Sequence, residues 1–432
     1  MRRIIVMSDG TWCGRETGTQ SNIYHLARFF GIPIDNLNVE DEYTLTTDTI
    51  AARYRHGVGL NSTFLDYLFN GVTAQDLAAE CISAYKFIVH HYTEGDEVLL
   101  FGLSRGAYTV RCVAGMINNC GIVRKRATDA QTDLLCDEVY RLYRSRYHVN
   151  EPHSEQSVNF RARHAWPLIG DEGKDEPPRR APVRFMGLFD TVGSLGIPTF
   201  TGGVGLDWPE FYDQNVSSVV EEVYHLVSLH DRFWVFQPCL ASRKDHSKSN
   251  IHEEWIPGVH YDLGRQRFRF LRIGAGWLES LLGRWSYASK VIEPNQVLAD
   301  SALLKMLKRV RQVTPAGLFM TEAAMDGVLE QLQRDMTAPT RAVGDGDVYG
   351  KVAQYAPFGQ RLGGLVAAAF KSAPAIWTLL FDLRDRFIPH VDADVSRFHV
   401  PDIDGRTLAD LAGVDDQRYP SKTLESWQLR RN

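Results

Sequence analysis

The stretch Gly95-Asp96-Glu97-Val98-Leu99-Leu100-Phe101-Gly102-Leu103-Ser104-Arg105-Gly106-Ala107-Tyr108 decides the fold. Gly95-Asp96 reads as a turn, Val98 to Phe101 as a strand buried on both faces, and Ala107 to Ile117 as a helix from the spacing of its apolar residues. A serine set between such a strand and such a helix, with glycine two residues before and two after, fits a nucleophile elbow, a turn so tight that side chains at 102 and 106 would clash with neighbouring backbone. Two glycines around a serine also occur by chance. The weight therefore rests on the flanking strand and helix.

The alternation continues outward. Residues 3 to 7 form an apolar, β-branched run cut off by Asp9-Gly10, Ser21-Asn22 can cap a helix to about Phe30, and Tyr43 to Thr47 alternates as a strand, giving a β-α-β opening. Thr73 caps a helix over Ala74 to Tyr92. Helices are expected over 104–117 and 131–147, a polar, Pro-containing insertion loop over 150–182, and a strand from Val183 to Phe189 that stops at Asp190. A helical stretch from Ser217 to Leu229 and a strand at Trp255-Ile256 follow. This order predicts an α/β class, α/β-hydrolase-like, with a mainly parallel sheet, helices on both faces and large insertions.

With 432 residues the chain is long enough for one elaborated domain. We read a catalytic core over 1–262, a basic amphipathic insertion or lid over 263–300, and a helical completion of the same domain over 301–432. The net charge of −5 leaves no basic excess for binding nucleic acid. Six cysteines without a C-x-x-C pair or a zinc-type Cys/His spacing suit a reducing compartment and point to no metal. The apolar run Ile4 to Met7 is too short for a signal peptide, so the chain is expected to be cytoplasmic as synthesised.

A serine nucleophile needs a base, and the base an orienting carboxylate, in the order Ser, Asp, His on this fold. Asp190, at a strand end before the small-residue loop Thr191 to Gly196, is the best acid, with Asp231 and Asp262 next. Among 14 histidines, His260 leaves a strand through Pro257-Gly258 and suits the base, though spacing alone leaves others open. His225 and His230 lie on a helical pattern and read as packing residues, and His90-His91 as a helix end. The Arg105 amide, at the positive end of the following helix, is the natural first oxyanion donor. Gly10 and Thr11, after the first strand, offer the second; the alternative there is a simple β-α turn with Asp9 in a capping role. An aspartyl-phosphate phosphatase would need an aspartate two residues before Asp9, where Met7 stands.

The motifs D-G-T-W at 9–12, G-V-G at 57–59, G-D-E-V-L-L-F-G-L-S-R-G-A-Y at 95–108, G-L-F-D-T-V-G-S-L-G at 187–196 and W-I-P-G-V-H-Y-D at 255–262 together resemble one family. It is the α/β-hydrolase domain of type VI secretion phospholipase effectors of the first lipase class, formerly an uncharacterised domain family. The resemblance covers about residues 3–262 and implies Ser104 as nucleophile, Asp190 as acid and His260 as base, with no cofactor. It also implies a lipid or ester substrate, delivery by a secretion system and an immunity-type partner. Two departures stand out. The family pattern continues D-V-G-G-G-Y after the histidine, whereas this chain has Asp262-Leu263-Gly264-Arg265-Gln266, and His230 stands at the family's usual aspartate position in H-A-x-x-x-D-E-R.

Between Arg265 and Lys290 six basic residues face a single acid, Glu279, and Trp277, Leu278, Leu281, Leu282 and Trp285 share one helical face. Such a helix suits an anionic membrane surface, with Trp277, Trp285, Arg272 and Arg284 in contact; the alternative is an insertion packed on the domain. Leu362 to Phe381 is apolar but interrupted by Gly363, Gly364 and Pro374, a buried or lid helix rather than a bilayer span. The leading expectation is a serine carboxylic-ester hydrolase acting on lipids, a phospholipase of the A type. A soluble esterase or thioesterase, or a catalytically silent binding protein of the same fold, are the alternatives.

Overall fold

The structure, a computed structural model, describes residues 1–10, 18–34, 42–57, 74–145, 147–168, 180–192, 215–216, 218–233, 236–243, 249–269, 290–314, 320–350 and 383–431. Eight strands form its central sheet: β1 (Arg3–Ser8), β2 (Glu42–Thr46), β3 (Ile50–Arg55), β4 (Glu97–Leu103), β5 (Val183–Phe189), β6 (Val220–Ser228), β7 (Asn250–Ile256) and β8 (Asp394–Val395). Their order is β8-β7-β6-β5-β4-β1-β3-β2, and every pairing is parallel except the β2–β3 hairpin at one edge. The expected α/β class, a mainly parallel sheet, is therefore what the chain forms.

Strand direction of winding reverses between β1 and β4, because β1 is followed toward one edge by β3 and β2 and toward the other by β4 onward. A crevice opens beyond the carboxyl ends of two strands that part company in this way. β4 ends there at Leu103, immediately before Ser104.

The central strands are apolar throughout because both faces are covered. Ile4, Val6, Val98, Leu100, Met186 and Leu188 pack with helices α2 (Ala74–His91) and α3 (Arg105–Cys120). Ile5, Met7, Leu99, Phe101, Phe185 and Phe189 pack on the other face, with α1 (Asn22–Phe29) and, further along the chain, the long helix Gln296–Val313. Ser21 caps α1 as expected, its hydroxyl accepting from Tyr24 N at 3.0 Å.

Residues 220–228, expected to be helical, are strand β6. Val223 to Ser228 are all buried between β5 and β7, and a strand covered on both faces shows no alternation by which to tell it from a buried helix. β3 was not anticipated. Its run Ile-Ala-Ala-Arg-Tyr-Arg looks polar, but Arg53 is buried against Glu42 at 2.7 Å and Ser83 at 2.9 Å, and Thr47 Oγ1 closes the hairpin by accepting from Ile50 N at 3.0 Å.

The expected loop 150–182 contains a helix, which follows α4 (Asp129–Tyr143) and is numbered α5 (Glu155–His164); Ser154 caps it by accepting from Ser157 N. Its polar sequence hides the anchor, Arg161, whose guanidinium donates to Asn119 O at 3.0 Å and Pro152 O at 2.7 Å. After β7 come α6 (His260–Gly264), α7 (Gln296–Val313) and α8 (Glu322–Thr337). The C-terminal part is helical only in part, because β8 joins the sheet beside β7.

Candidate active site

Ser104 sits at φ 57°, ψ −120°, a conformation rarely held by a residue with a side chain, and its N–H donates to Phe189 O at 2.9 Å. The turn is tight enough to demand both glycines. A Cβ on Gly102 would lie 2.5 Å from Ala107 Cα, and one on Gly106 would lie 2.1 Å from the carbonyl oxygen of Ser8 and 2.5 Å from that of Asp9. Arg105 opens α3, so the positive end of that helix lies directly behind Ser104.

Asp190, at the end of β5, also holds a left-handed backbone, φ 42°. His260 begins α6 rather than lying in a loop, directly after the Pro257-Gly258 turn. Ser104, Asp190 and His260 come together in a hydrogen-bonded chain: His260 Nε2 lies 2.9 Å from Ser104 Oγ and His260 Nδ1 lies 2.6 Å from Asp190 Oδ2. All three are buried, and the Phe236 ring stacks on the imidazole with centroids 4.5 Å apart.

Asp190 is enclosed by donors. Ser228 gives its N–H to Oδ1 at 2.9 Å and its hydroxyl to Oδ2 at 3.1 Å, and Arg386 gives Nη1–H to Oδ1 at 2.6 Å and Nη2–H to Oδ2 at 2.9 Å. Burial alone would push this carboxyl upward; the Arg386 guanidinium and the His260 ring outweigh it and hold it well below the usual carboxylate range. The other two carboxylates considered do not reach the ring. Asp231 Oδ2 accepts from His260 N at 2.9 Å, and Asp262 accepts from Val259 N at 3.0 Å and Asn295 N at 2.7 Å, so both fix the backbone that carries the histidine.

The histidines read as packing residues are placed as supports, His225 on a strand. Thr191 N donates to His225 Nε2 at 3.1 Å, beside Asp190, and Gly258 N donates to His230 Nδ1 at 3.0 Å, next to His260. His230, at the family's aspartate position, thus holds the turn that delivers His260. His90 and His91 close α2.

Gly10, expected as an oxyanion donor, gives its N–H to Asp9 Oδ1 at 2.7 Å, and Thr11 lies outside the described residues. Asp9 also accepts from Ser21 Oγ at 2.5 Å and Tyr54 OH at 2.7 Å, steadying the residue that caps α1. Asp9 thus does not cap α1 itself but holds Ser21, which does, and the Gly10 amide donates to Asp9.

The departure after the histidine has a local solution. Arg265 ends α6 at φ 55°, where the family pattern supplies a glycine, and its buried side chain donates to Asp300 at 2.5 Å, Gln296 at 2.6 Å and Asn22 at 3.1 Å. The ion pair and hydrogen bonds offset a left-handed arginine's strain, on the order of 1 kcal/mol. Arg265 and Arg267, which pairs with Glu293, therefore do not belong to a membrane-facing helix; Arg272, Trp277, Arg284 and Trp285 lie outside the described residues, as does 362–381.

The buried titratable groups set an expectation for stability against pH. Burial drives His25, His225 and His230 down to about 3 from 6.5, so their contribution is complete above pH 6.5 and is lost as pH falls toward 3. Burial lifts Asp231 and Asp262 to about 6 from 3.8, so theirs is complete below 3.8 and is lost as pH rises through 6. Glu80 and Glu253 are raised by burial as well, so between pH 6 and 4 the buried carboxyls offset the histidines. Below about pH 4 these carboxyls are protonated folded or unfolded, whereas the three histidines and Asp190, held low in the fold, leave the unfolded chain binding more protons. The thermal midpoint is therefore expected to fall as pH drops from about 4 to 3. A flat or rising midpoint in calorimetry across that range would contradict these placements.

Comparison with known proteins yields a family model described as the catalytic domain of the Tle1-like type VI secretion phospholipase effectors, matched over residues 2–308. An uncharacterised protein of Saccharomyces cerevisiae, YEL023C, is 29% identical over 175 residues, 40% of this chain and 23% of that protein. A structure of the Tle1 effector bound to the VgrG spike of the type VI secretion system matches at a TM-score of 0.29 and 21% identity, over 61% of this chain and 51% of that one. A crystal structure of an uncharacterised Pseudomonas aeruginosa protein matches at 0.35 and 15% identity, over 90% and 64%. The chain thus spans less than two thirds of the length of each. Among the described residues no helix is long and apolar enough to cross a membrane.

Proposed function

Because the chain belongs to the Tle1-like family of type VI secretion phospholipase effectors, we propose that it is a serine carboxylic-ester hydrolase acting on lipids, a phospholipase of the A type. The observation that carries this reading is the chain Ser104 Oγ, His260 Nε2, His260 Nδ1, Asp190 Oδ2, with separations of 2.9 and 2.6 Å. Ser104 Oγ attacks the ester carbonyl while its proton passes to His260 Nε2. Asp190 keeps the Nδ1–H pointed at itself, which leaves Nε2 as the acceptor. The tetrahedral oxyanion is held by the Arg105 amide at the start of α3. Its collapse breaks the C–O bond of the leaving alcohol, which takes the proton from His260. Water, deprotonated in turn by His260, releases the fatty acid from the acyl-enzyme on Ser104.

The test is to incubate the protein with phosphatidylglycerol vesicles and with p-nitrophenyl butyrate, beside Ser104→Ala. Free fatty acid and lysophospholipid are expected from the first, chromophore from the second, and a loss of about 10⁴-fold or more in the variant. Activity surviving Ser104→Ala, or release of diacylglycerol or phosphatidic acid in place of free fatty acid, would overturn the assignment. A fluorophosphonate is likewise expected to label Ser104 alone, since only a base-activated serine attacks phosphorus quickly.

The preference for lipid over soluble ester rests on the family and, within the segment 265–290, on Arg272, Trp277, Arg284 and Trp285. Trp277→Ala with Trp285→Ala is expected to weaken binding to anionic vesicles and slow hydrolysis of vesicle lipid, while p-nitrophenyl butyrate is turned over almost as before. Added salt should weaken vesicle binding, since attraction between arginine and phosphate is screened over about 10 Å at 0.1 M. Equal loss of both activities would assign the tryptophans to packing. In the family's setting the protein is delivered by a secretion system and met by an immunity-type protein.

A further inference from the structure

We infer that Arg386 is a positioning residue for the reaction: bound through both terminal nitrogens to both oxygens of Asp190, it holds that carboxylate in the orientation its hydrogen bond to His260 requires. The inference rests on the reading of Ser104, Asp190 and His260 as the reacting chain. It adds a residue from outside the span 2–308 that matches the family model.

The guanidinium is fully buried and spends two further N–H groups on the carbonyls of Ser228, at 2.8 Å, and Phe236. It therefore ties three parts of the site together: Asp190 at the end of β5, Ser228 at the end of β6, and Phe236, whose ring lies on His260. The segment bearing Arg386 is itself pinned. Arg384 N donates to Arg232 O at 2.7 Å, Leu383 bridges to Phe233, and Trp427 Nε1, in the C-terminal helix α10 (Thr423–Arg431; α9 is Leu408–Ala412), donates to His390 O at 3.0 Å. Planar, two-point capture of a carboxylate is what distinguishes arginine from lysine at such a place.

Facing Asp190 are Ser228 from β6, His260 from α6 and Arg386; Asp231 and His225 lie close enough to act on it electrostatically, Arg111 acts on His225, and Tyr349 lies beside Arg386. Of these, only Arg386 and His260 supply positive charge to the carboxylate directly. Without Arg386, burial is left to push Asp190 up, and a protonated or rotated Asp190 no longer accepts from Nδ1.

The experiment measures kcat/KM for p-nitrophenyl butyrate, and the fluorophosphonate labelling rate, against pH for the wild type, Arg386→Met, Arg386→Lys, Asp190→Asn and the double variant Asp190→Asn/Arg386→Met. Arg386→Met is expected to lose about a hundredfold in kcat with little change in KM, and its acid limb should move to higher pH as Asp190 takes up a proton. Arg386→Lys, which keeps the charge but not the fork, should recover the acid limb and part of the rate. The double variant should be no slower than Asp190→Asn alone, because a residue acting through Asp190 has nothing left to act on. Additive losses in the double variant, or an unchanged acid limb in Arg386→Met, would overturn the inference while leaving labelling of Ser104 intact. If Arg386→Met does not fold, the lysine variant decides: wild-type rate and pH profile there would show that the fork is dispensable. A wild-type protein that neither labels nor turns over ester overturns the parent reading and this inference with it.

Discussion

Asp190→Asn is expected to lower kcat/KM by about 10³- to 10⁴-fold and to lower stability at the same time. The first effect follows from the site. An asparagine can present its amide N–H to His260 and so favour the tautomer with the proton on Nε2, which cannot take the Ser104 proton; it also removes the charge that stabilises the imidazolium. The second effect follows from Arg386. Its guanidinium, 2.6 and 2.9 Å from the two carboxylate oxygens and fully buried, would lose its counter-charge, and an orphaned buried charge costs about 3–5 kcal/mol. Kinetics with Ser104 labelling would measure the first effect and denaturant unfolding the second. A variant as stable as the wild type would mean that Arg386 is compensated by another group, and one with near-normal turnover would move the acid elsewhere.

Gly106→Ala is expected to destabilise the fold by about 3 kcal/mol or more and to abolish labelling of Ser104. The added methyl would stand 2.1 Å from the Ser8 carbonyl oxygen and 2.5 Å from that of Asp9, and backbone atoms at the end of β1 cannot swing aside as a side-chain tip can. Relief requires α3 to move off the sheet, which drags the elbow and displaces Ser104 from His260. Gly327→Ala in α8 is the matched control. Nothing lies within 4 Å of its Cβ, so the usual helix preference for alanine should stabilise it by up to about 1 kcal/mol. If Gly106→Ala instead melts with the control and keeps its reactivity, the close approach of β1 and α3 is wrong.

These expectations separate what a linear reading reaches from what it misses. Val98 to Phe101 and Val183 to Phe189 announce buried strands because their apolar runs are short and bounded by turn residues, and the glycines at 102 and 106 announce the elbow because a tight backbone leaves no room for Cβ. Asp190 is legible as a position just after a strand, His260 opens a helix where a loop is expected, and the family motifs narrow the choice. The helical expectation for 217–229 failed because a strand covered on both faces carries no period of two. The expectation for Gly10 failed because no local pattern tells that Asp9 turns back on the amide beside it. Arg386 gives no signal at all: in Arg384-Asp385-Arg386 it resembles a solvated charge run.

By itself, the sequence determined the α/β class and the tight turn at Ser104, since each rests on periodicity, turn chemistry or glycine contacts that act within a few residues. Tertiary structure alone decided that Arg386 grips Asp190 across 196 positions, that Asp231 holds the His260 backbone, and that Arg265 turns inward to Asp300. The physical reason is that a buried charge is tolerated only where its partner meets it in space. The partner is chosen by the folding of β5, β6 and the C-terminal segment into one corner, and no spacing along the chain encodes that corner.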